Sequence, residues 1–249
     1  MRLSVVLITQ NASAQLADCL ASVAFADEVV IVDSGSSDGT VALAERYGAR
    51  VMAKEWLGYG RQKQFALEQA ANDWVLCLDA DERVSPELAA SLVRELEAPA
   101  APVYRIARRN RFLGRWLRHG EGYPDWSARL FDRRQARWSD DTVHEKVLYT
   151  ATPGTLEGDL LHESAEDLGR YLDKQNRYTT LAAEDLYRRG QRAAAAELIL
   201  SPLLRFFKFY FLRLGFLDGL PGLVHISIGC MNSFMKYAKL IELRQADRK

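Results

Sequence analysis

The chain has 249 residues, 48% hydrophobic and 27% charged, and its 33 basic and 33 acidic side chains cancel. This composition fits a globular protein and excludes a disordered, collagen-like or coiled-coil chain. A formal charge of zero also argues against a dedicated nucleic-acid binder, which is expected to be basic.

Three distant cysteines, Cys19, Cys77 and Cys230, form no CxxC pair, so a reducing compartment is expected and a disulfide framework is not. The opening MRLSVVLITQ reads as a first strand rather than a signal peptide. No apolar run reaches the 18 residues of a clean membrane span. Residues 3–9 (LSVVLIT) and 28–33 (EVVIVD) are apolar, β-branched runs of strand length. Between them Leu16, Cys19, Leu20 and Val23 share one helical face. A helix over 41–48 stops at Gly48, and a third strand is expected over 50–56. A helix over 61–71 and a fourth strand over 73–81 follow. Ser85-Pro86-Glu87 then reads as N-cap, first helical residue and first-turn acid. Apolar strands alternating with helices predict an α/β fold with a mostly parallel, doubly wound sheet.

After about residue 100 the strands become less regular. A helix is expected from Ala165 to about Arg192, opened by a Ser164-x-x-Asp167 capping box. The remaining tail is aromatic, basic and helical in period, with a break expected at Gly219 to Gly222. The expected division is a catalytic domain over 1–164 and a helical extension over 165–249.

Open parallel sheets bind ligands at the carboxyl ends of their strands. Strand one ends in Thr9-Gln10-Asn11, strand two in Asp33-Ser34-Gly35-Ser36-Ser37-Asp38-Gly39-Thr40, and strand four in Asp79-Ala80-Asp81-Glu82. One such end is an ordinary turn; three along one sheet edge indicate a site. Neither G-x-G-x-x-G nor a P-loop motif occurs. In extended backbone Asp79 and Asp81 point the same way, and two carboxylates on one face suit Mg²⁺ or Mn²⁺ beside a substrate diphosphate. Arg129, amid apolar neighbours, needs an anionic partner, and Lys63 and Arg61 lie on a helix face that can meet phosphate.

SVVLITQN, VDSGSSDGT and LDADE, in this order and spacing, resemble the inverting family-two glycosyltransferases of the GT-A fold. YPDWSARLFDRR, WSDDTVHEKV, GDLLHES and FLDGLPGL are similar to segments of the bacterial lipopolysaccharide core β-1,4-glucosyltransferases. The resemblance implies a UDP-sugar donor, glucose above all, a lipid-linked inner-core heptose as acceptor, and a divalent metal. It implies that Thr9, Asn11, Asp33, Lys63, Asp79, Ala80 and Arg129 line the sugar-nucleotide pocket. Asp79, Asp81 and His162 are the implied metal ligands, with Asp81 the more direct. His144-Glu145 stands where the family places its acidic catalytic motif, with His-Glu in place of the commoner Glu-Asp. Glu145 is thus the expected base, with Asp125 and Asp141 in reserve. The alternatives are a different acceptor, such as a polyprenyl-linked sugar or a protein, or a nucleotidyltransferase. The latter needs an early Gly-rich basic loop that residues 9–15 lack.

The net charge hides an asymmetry. Residues 103–139 hold ten arginines against Glu121, Asp125 and Asp132, and 201–217 hold Arg205, Lys208 and Arg213 with no acid. Such basic and aromatic segments suit an anionic membrane surface, so a peripheral location at the cytoplasmic side of the inner membrane is expected.

Overall fold

The computed structural model describes residues 1–141, 145–163 and 167–247, apart from the side chain of Ala195. His144 and Ser164, named above, lie outside the described residues. The chain divides into two compact units, residues 1–108 with 126–163, and residues 109–125 with 164–249. The sequence boundary at 164/165 left segment 109–125 with the first unit; the contacts assign it to the second.

The first unit opens with β1 (Leu3–Thr9), α1 (Ser13–Ala21), β2 (Glu28–Asp33), α2 (Thr40–Arg46), β3 (Arg50–Ala53), α3 (Tyr59–Glu68) and β4 (Trp74–Asp79). β3 and α3 each stop about three residues short of the expected ends. After β4 come β5 (Glu82–Val84), α4 (Pro86–Glu97), β6 (Val103–Phe112), β7 (Arg115–Trp116), β8 (Asp125–Asp132), β9 (Arg137–Trp138), β10 (Val147–Leu148) and β11 (Gly154–His162). The sheet order is β3-β2-β1-β4-β8-β6-β11-β5. β3, β2, β1 and β4 run parallel, whereas β8 is antiparallel to β4 and β5 to β11.

Strand alternation sends side chains into two cores. Leu3, Val5 and Leu7 join Leu76, Leu78, Leu16 and Leu88 on one face. Val6, Val30, Val32, Val75 and Cys77 join Ala66, Leu67 and Phe131 on the other. A parallel sheet covered on both faces needs this continuous apolar character. The expected N-cap of α4 is observed: Ser85 Oγ accepts from Leu88 N at 3.2 Å, and also from Asp159 N at 3.2 Å. Ser85→Ala should therefore cost about 1 kcal/mol or somewhat more, read as a lower denaturation midpoint at unchanged slope.

β5 lies at the far end of the sheet path, yet only Ala80 and Asp81 separate it from β4. A two-residue connection spans under about 11 Å. The stretch β4-β8-β6-β11-β5 therefore curls until its last strand returns to the end of its first.

In the second unit, α5 (Leu168–Arg188), α6 (Ala195–Phe206) and α7 (Gly219–Ala246) pack together, α7 against both others. Asp167 caps α5, accepting from Arg170 N at 2.9 Å. A π-helical turn, Phe207–Leu212, extends α6, and a 3-10 turn, Gly215–Asp218, leads into α7. The helical tail departs from helical backbone twice: at Leu214, which takes a left-handed φ of 55°, and at Gly219, at φ 63°, where the break was expected. Pro221 falls in the first turn of α7, where its missing N–H removes no helical bond. Buried Asp218 accepts from the backbone N of Arg118 at 2.9 Å and of His119 at 2.7 Å, fastening segment 109–125 to the helices. A Cβ on Gly215 would collide with the Ile226 side chain and Phe209 O, so only glycine fits that crossing. Among the described residues no single helix is long and apolar enough to cross a membrane. Ala196–Leu212 and Gly215–Ala246 meet that test only together, bent by 74°.

Candidate active site

Register builds the site edge. Thr9 pairs with Asp33 across β1 and β2, and Ile8 with Asp79 across β1 and β4, so the three strand ends lie side by side. Asp33 holds the loop after β2. Its Oδ1 accepts from Gly35 N at 3.0 Å and Ser36 N at 2.8 Å, and its Oδ2 from Thr9 Oγ1 at 2.8 Å and Ser36 Oγ at 2.5 Å. Burial raises the pKa of this carboxyl, but the four hydrogen bonds outweigh it and hold the group below its ordinary value. Asn11, at φ 52°, clasps the same loop: its Oδ1 accepts from Ser37 N at 2.9 Å and its N donates to Ser36 Oγ at 2.8 Å. Thr9, Asn11 and Asp33 thus form one preorganised loop clasp.

Beneath the β4 end runs a chain of ion pairs alternating in sign: Glu145, Lys63, Asp79, Arg129, Glu82, Arg108. Lys63 Nζ lies 2.9 Å from both Glu145 Oε1 and Asp79 Oδ1. Arg129 Nη2 lies 2.9 Å from Asp79 Oδ2 and 2.6 Å from Glu82 Oε1, and Arg108 Nη1 is 3.6 Å from Glu82 Oε1. Lys63, Arg129 and Glu82 are buried, Glu82 with no exposure at all. Desolvation works against the Lys63 ammonium, yet the Asp79 and Glu145 charges prevail and raise its pKa. Burial pushes the Asp79 carboxyl up, but Lys63 and Arg129 hold it well below the carboxylate range. Burial holds the Glu82 carboxyl above that range, against the pull of Arg129 and Arg108. The Arg129 Nε is buried with no hydrogen-bond partner, and it borders a small cavity lined also by Lys63, Ala66 and Cys77.

Asp81 stands apart from this chain. β5 pairs with β11 so that His162 lies opposite Glu82, which brings His162 Nε2 to 3.2 Å from Asp81 Oδ2. Both side chains remain about a quarter exposed, at 22% and 27%. A carboxylate oxygen beside an imidazole nitrogen is a donor set that Mg²⁺ or Mn²⁺ accepts, the remaining positions falling to substrate phosphate and water. No group of three or more His, Cys, Asp or Glu side chains converges among the described residues. Both Asp79 oxygens pair with cations, Lys63 and Arg129, whereas Asp81 faces His162.

Glu145 reaches Lys63 from the segment between β9 and β10. That segment sits tightly on the start of α3: a Cβ on Gly60 would strike the carbonyl oxygens of Ser139 and Asp141. Gly60→Ala should therefore displace the support of Glu145, lowering turnover more than it lowers the melting temperature. Asp141 itself is exposed, and Asp125 belongs to the second unit. Ala80 packs against the core below the β4–β5 turn, and Arg61 is exposed. Trp138 is buried beneath Lys63, whose Nζ is 4.9 Å from the ring centroid, whereas Trp56 and Trp126 are exposed.

Sequence reasoning passed over Glu82, Arg108 and Gln62. Gln62, fully buried, donates to Ser34 Oγ at 3.0 Å and accepts from Leu57 N at 3.2 Å. The signal for Glu82 was its period-two spacing from Val84, which continues an inward face past the turn.

The profile of glycosyl transferase family 2 matches residues 4–151. The chain belongs to this family. The family-2 chain is 34% identical to the lipopolysaccharide core biosynthesis glycosyltransferase LpsC of Rhizobium meliloti (strain 1021), an alignment spanning 96% of this chain and 92% of that protein. It is 32% identical to an uncharacterized glycosyltransferase of Rickettsia prowazekii (strain Madrid E), over 97% of this chain and 87% of the relative. Its fold is similar to that of S. aureus TarS crystallised with UDP-GlcNAc, with a TM-score of 0.52 at 17% identity over 99% of this chain and 92% of that one. The protein is therefore a glycosyltransferase of GT-A fold, with a relative that acts in lipopolysaccharide core biosynthesis.

Proposed function

We propose that this family-2 enzyme transfers glucose from UDP-glucose to a heptose of the lipopolysaccharide inner core, with inversion, at the cytoplasmic face of the inner membrane. The observation that carries the reading is the near end-to-end match to a lipopolysaccharide core glycosyltransferase. The clasp of Thr9, Asn11 and Asp33 supports it by preparing one wall for the nucleoside.

In this reading Asp81 and His162 would hold a divalent metal, which would supply positive charge for a leaving diphosphate. Glu145, oriented by Lys63, takes the proton of the acceptor hydroxyl as its oxygen attacks the anomeric carbon from the face opposite UDP. Asp79 takes no proton; pinned between Lys63 and Arg129, it sets the end of β4 and with it the position of Asp81.

The test is UDP release with purified core lipid as acceptor, with the product weighed by mass spectrometry. A product heavier by one hexose supports the reading; turnover only on a polyprenyl-linked sugar or a protein overturns the acceptor. His162→Ala should raise the Mn²⁺ concentration for half-maximal activity at least about tenfold, read from a metal titration. An unchanged titration sinks the ligand assignment.

A further inference from the structure

The largest exposed apolar surface of the second unit lies on α6 and the bend that follows it. Ile199, Leu200, Leu203, Leu204, Phe207 and Phe211 recur at helical spacing, and each is about half exposed or more. The other face of α6 is committed inward, with Arg205 paired to Glu121. Leu212, at the end of the π-helical turn, and Phe216, Leu217 and Leu220 beyond it are also exposed. Monomeric proteins rarely leave such contiguous apolar surface in water.

What covers it is indicated by the charges at its edge. Lys208 continues the α6 stripe and is exposed, as is Arg213 at its end. Exposed Arg115 donates from Nη2 to Leu217 O at 3.0 Å, and Arg118 N donates to Asp218, so the arginine-rich segment 109–125 joins the bend. Asp218, the one acid of the bend, is buried. An apolar face with cations at its edge is complementary to an anionic bilayer: apolar groups enter the acyl boundary and cations meet the phosphates. A second copy fits less well, because a two-fold interface sets the same patch against itself and juxtaposes like charges. The stripe from Ile199 to Phe211 is only about 20 Å long, short of the ~30 Å hydrocarbon core. The chain bends by 74° just beyond, so a stripe of this length suits an orientation along the interface better than one across the bilayer.

We propose that α6 and the following bend form an in-plane anchor that embeds this apolar stripe in an anionic lipid surface. The proposal rests on the lipid-acceptor reading only for its purpose. Vesicle binding reads the surface and UDP release reads the enzyme, so either can fail alone.

The experiment is flotation of the full chain with vesicles of phosphatidylethanolamine and phosphatidylglycerol, and with vesicles of phosphatidylcholine alone. The expected result is strong flotation with the anionic vesicles and several-fold weaker flotation with the neutral ones. Leu203→Glu with Leu204→Glu should cut anionic binding at least about tenfold. The melting temperature should stay unchanged, because both side chains are exposed (60% and 66%). Lys208→Gln should weaken binding and flatten its salt dependence. Absence of flotation, or equal flotation of the double variant, overturns the proposal. Dimerisation without flotation, abolished by the same double variant, overturns it in favour of a second copy.

Discussion

Replacing Arg129 with methionine should cost the fold about 3–5 kcal/mol, because it strands two carboxylates that were paired. Arg129 is 4% exposed and its Nη2 serves both Asp79 and Glu82. Methionine approximates the stem but offers neither carboxylate a proton. Urea denaturation should show the midpoint falling at constant slope. The acid limb supplies a second reading. The Asp79 carboxyl is held low in the folded chain, so its contribution is present above the ordinary carboxylate value and is lost as pH falls through the folded one. Without Arg129 that depression shrinks, and stability should vary less with pH on the acid side. A variant as stable as the parent would mean that Lys63 and Arg108 suffice to neutralise the site.

Glu145→Gln should lower kcat by about 10²–10⁴-fold while leaving the Michaelis constant for the donor nearly unchanged. The amide keeps the shape and can still meet Lys63, but cannot accept a proton from the acceptor hydroxyl. Steady-state UDP release with saturating core lipid measures it, with donor binding checked in the absence of acceptor. Full activity would eliminate Glu145 as base. The same loss with a large rise in the donor constant would make Glu145 a support for Lys63 and Asp79 instead.

The strand ends could be read from the chain alone because their signals are local. Apolar runs of fixed length end where Thr9, Asp33 and Asp79 begin, and parallel register brings those ends together. Asp81 was legible through the period-two rule, but its neighbour His162 only through resemblance, since 80 residues separate them and the β5–β11 pairing that joins them leaves no local trace. Glu82 was named only as part of the strand-four end, although it is fully buried. Its burial depends on Arg129 and Arg108, which no local pattern connects to it. That segment 109–125 groups with the helices left no local trace for the same reason: Asp218, the group that fixes it, lies about 100 residues downstream. The tail break expected at its glycines is present at Gly219, but the second one, at Leu214, carries no glycine or proline to announce it.

The curled sheet has a mechanical consequence. Asp81 sits in a two-residue span whose ends are fixed to different strands, β4 to β1 and β5 to β11. Such a span behaves as a rivet closing a bent plate. The backbone that carries its carboxylate is tied to the sheet on both sides. Lengthening this span by one residue would slacken the plate, so variation in donor and acceptor must be accommodated in segments that the sheet does not hold in tension.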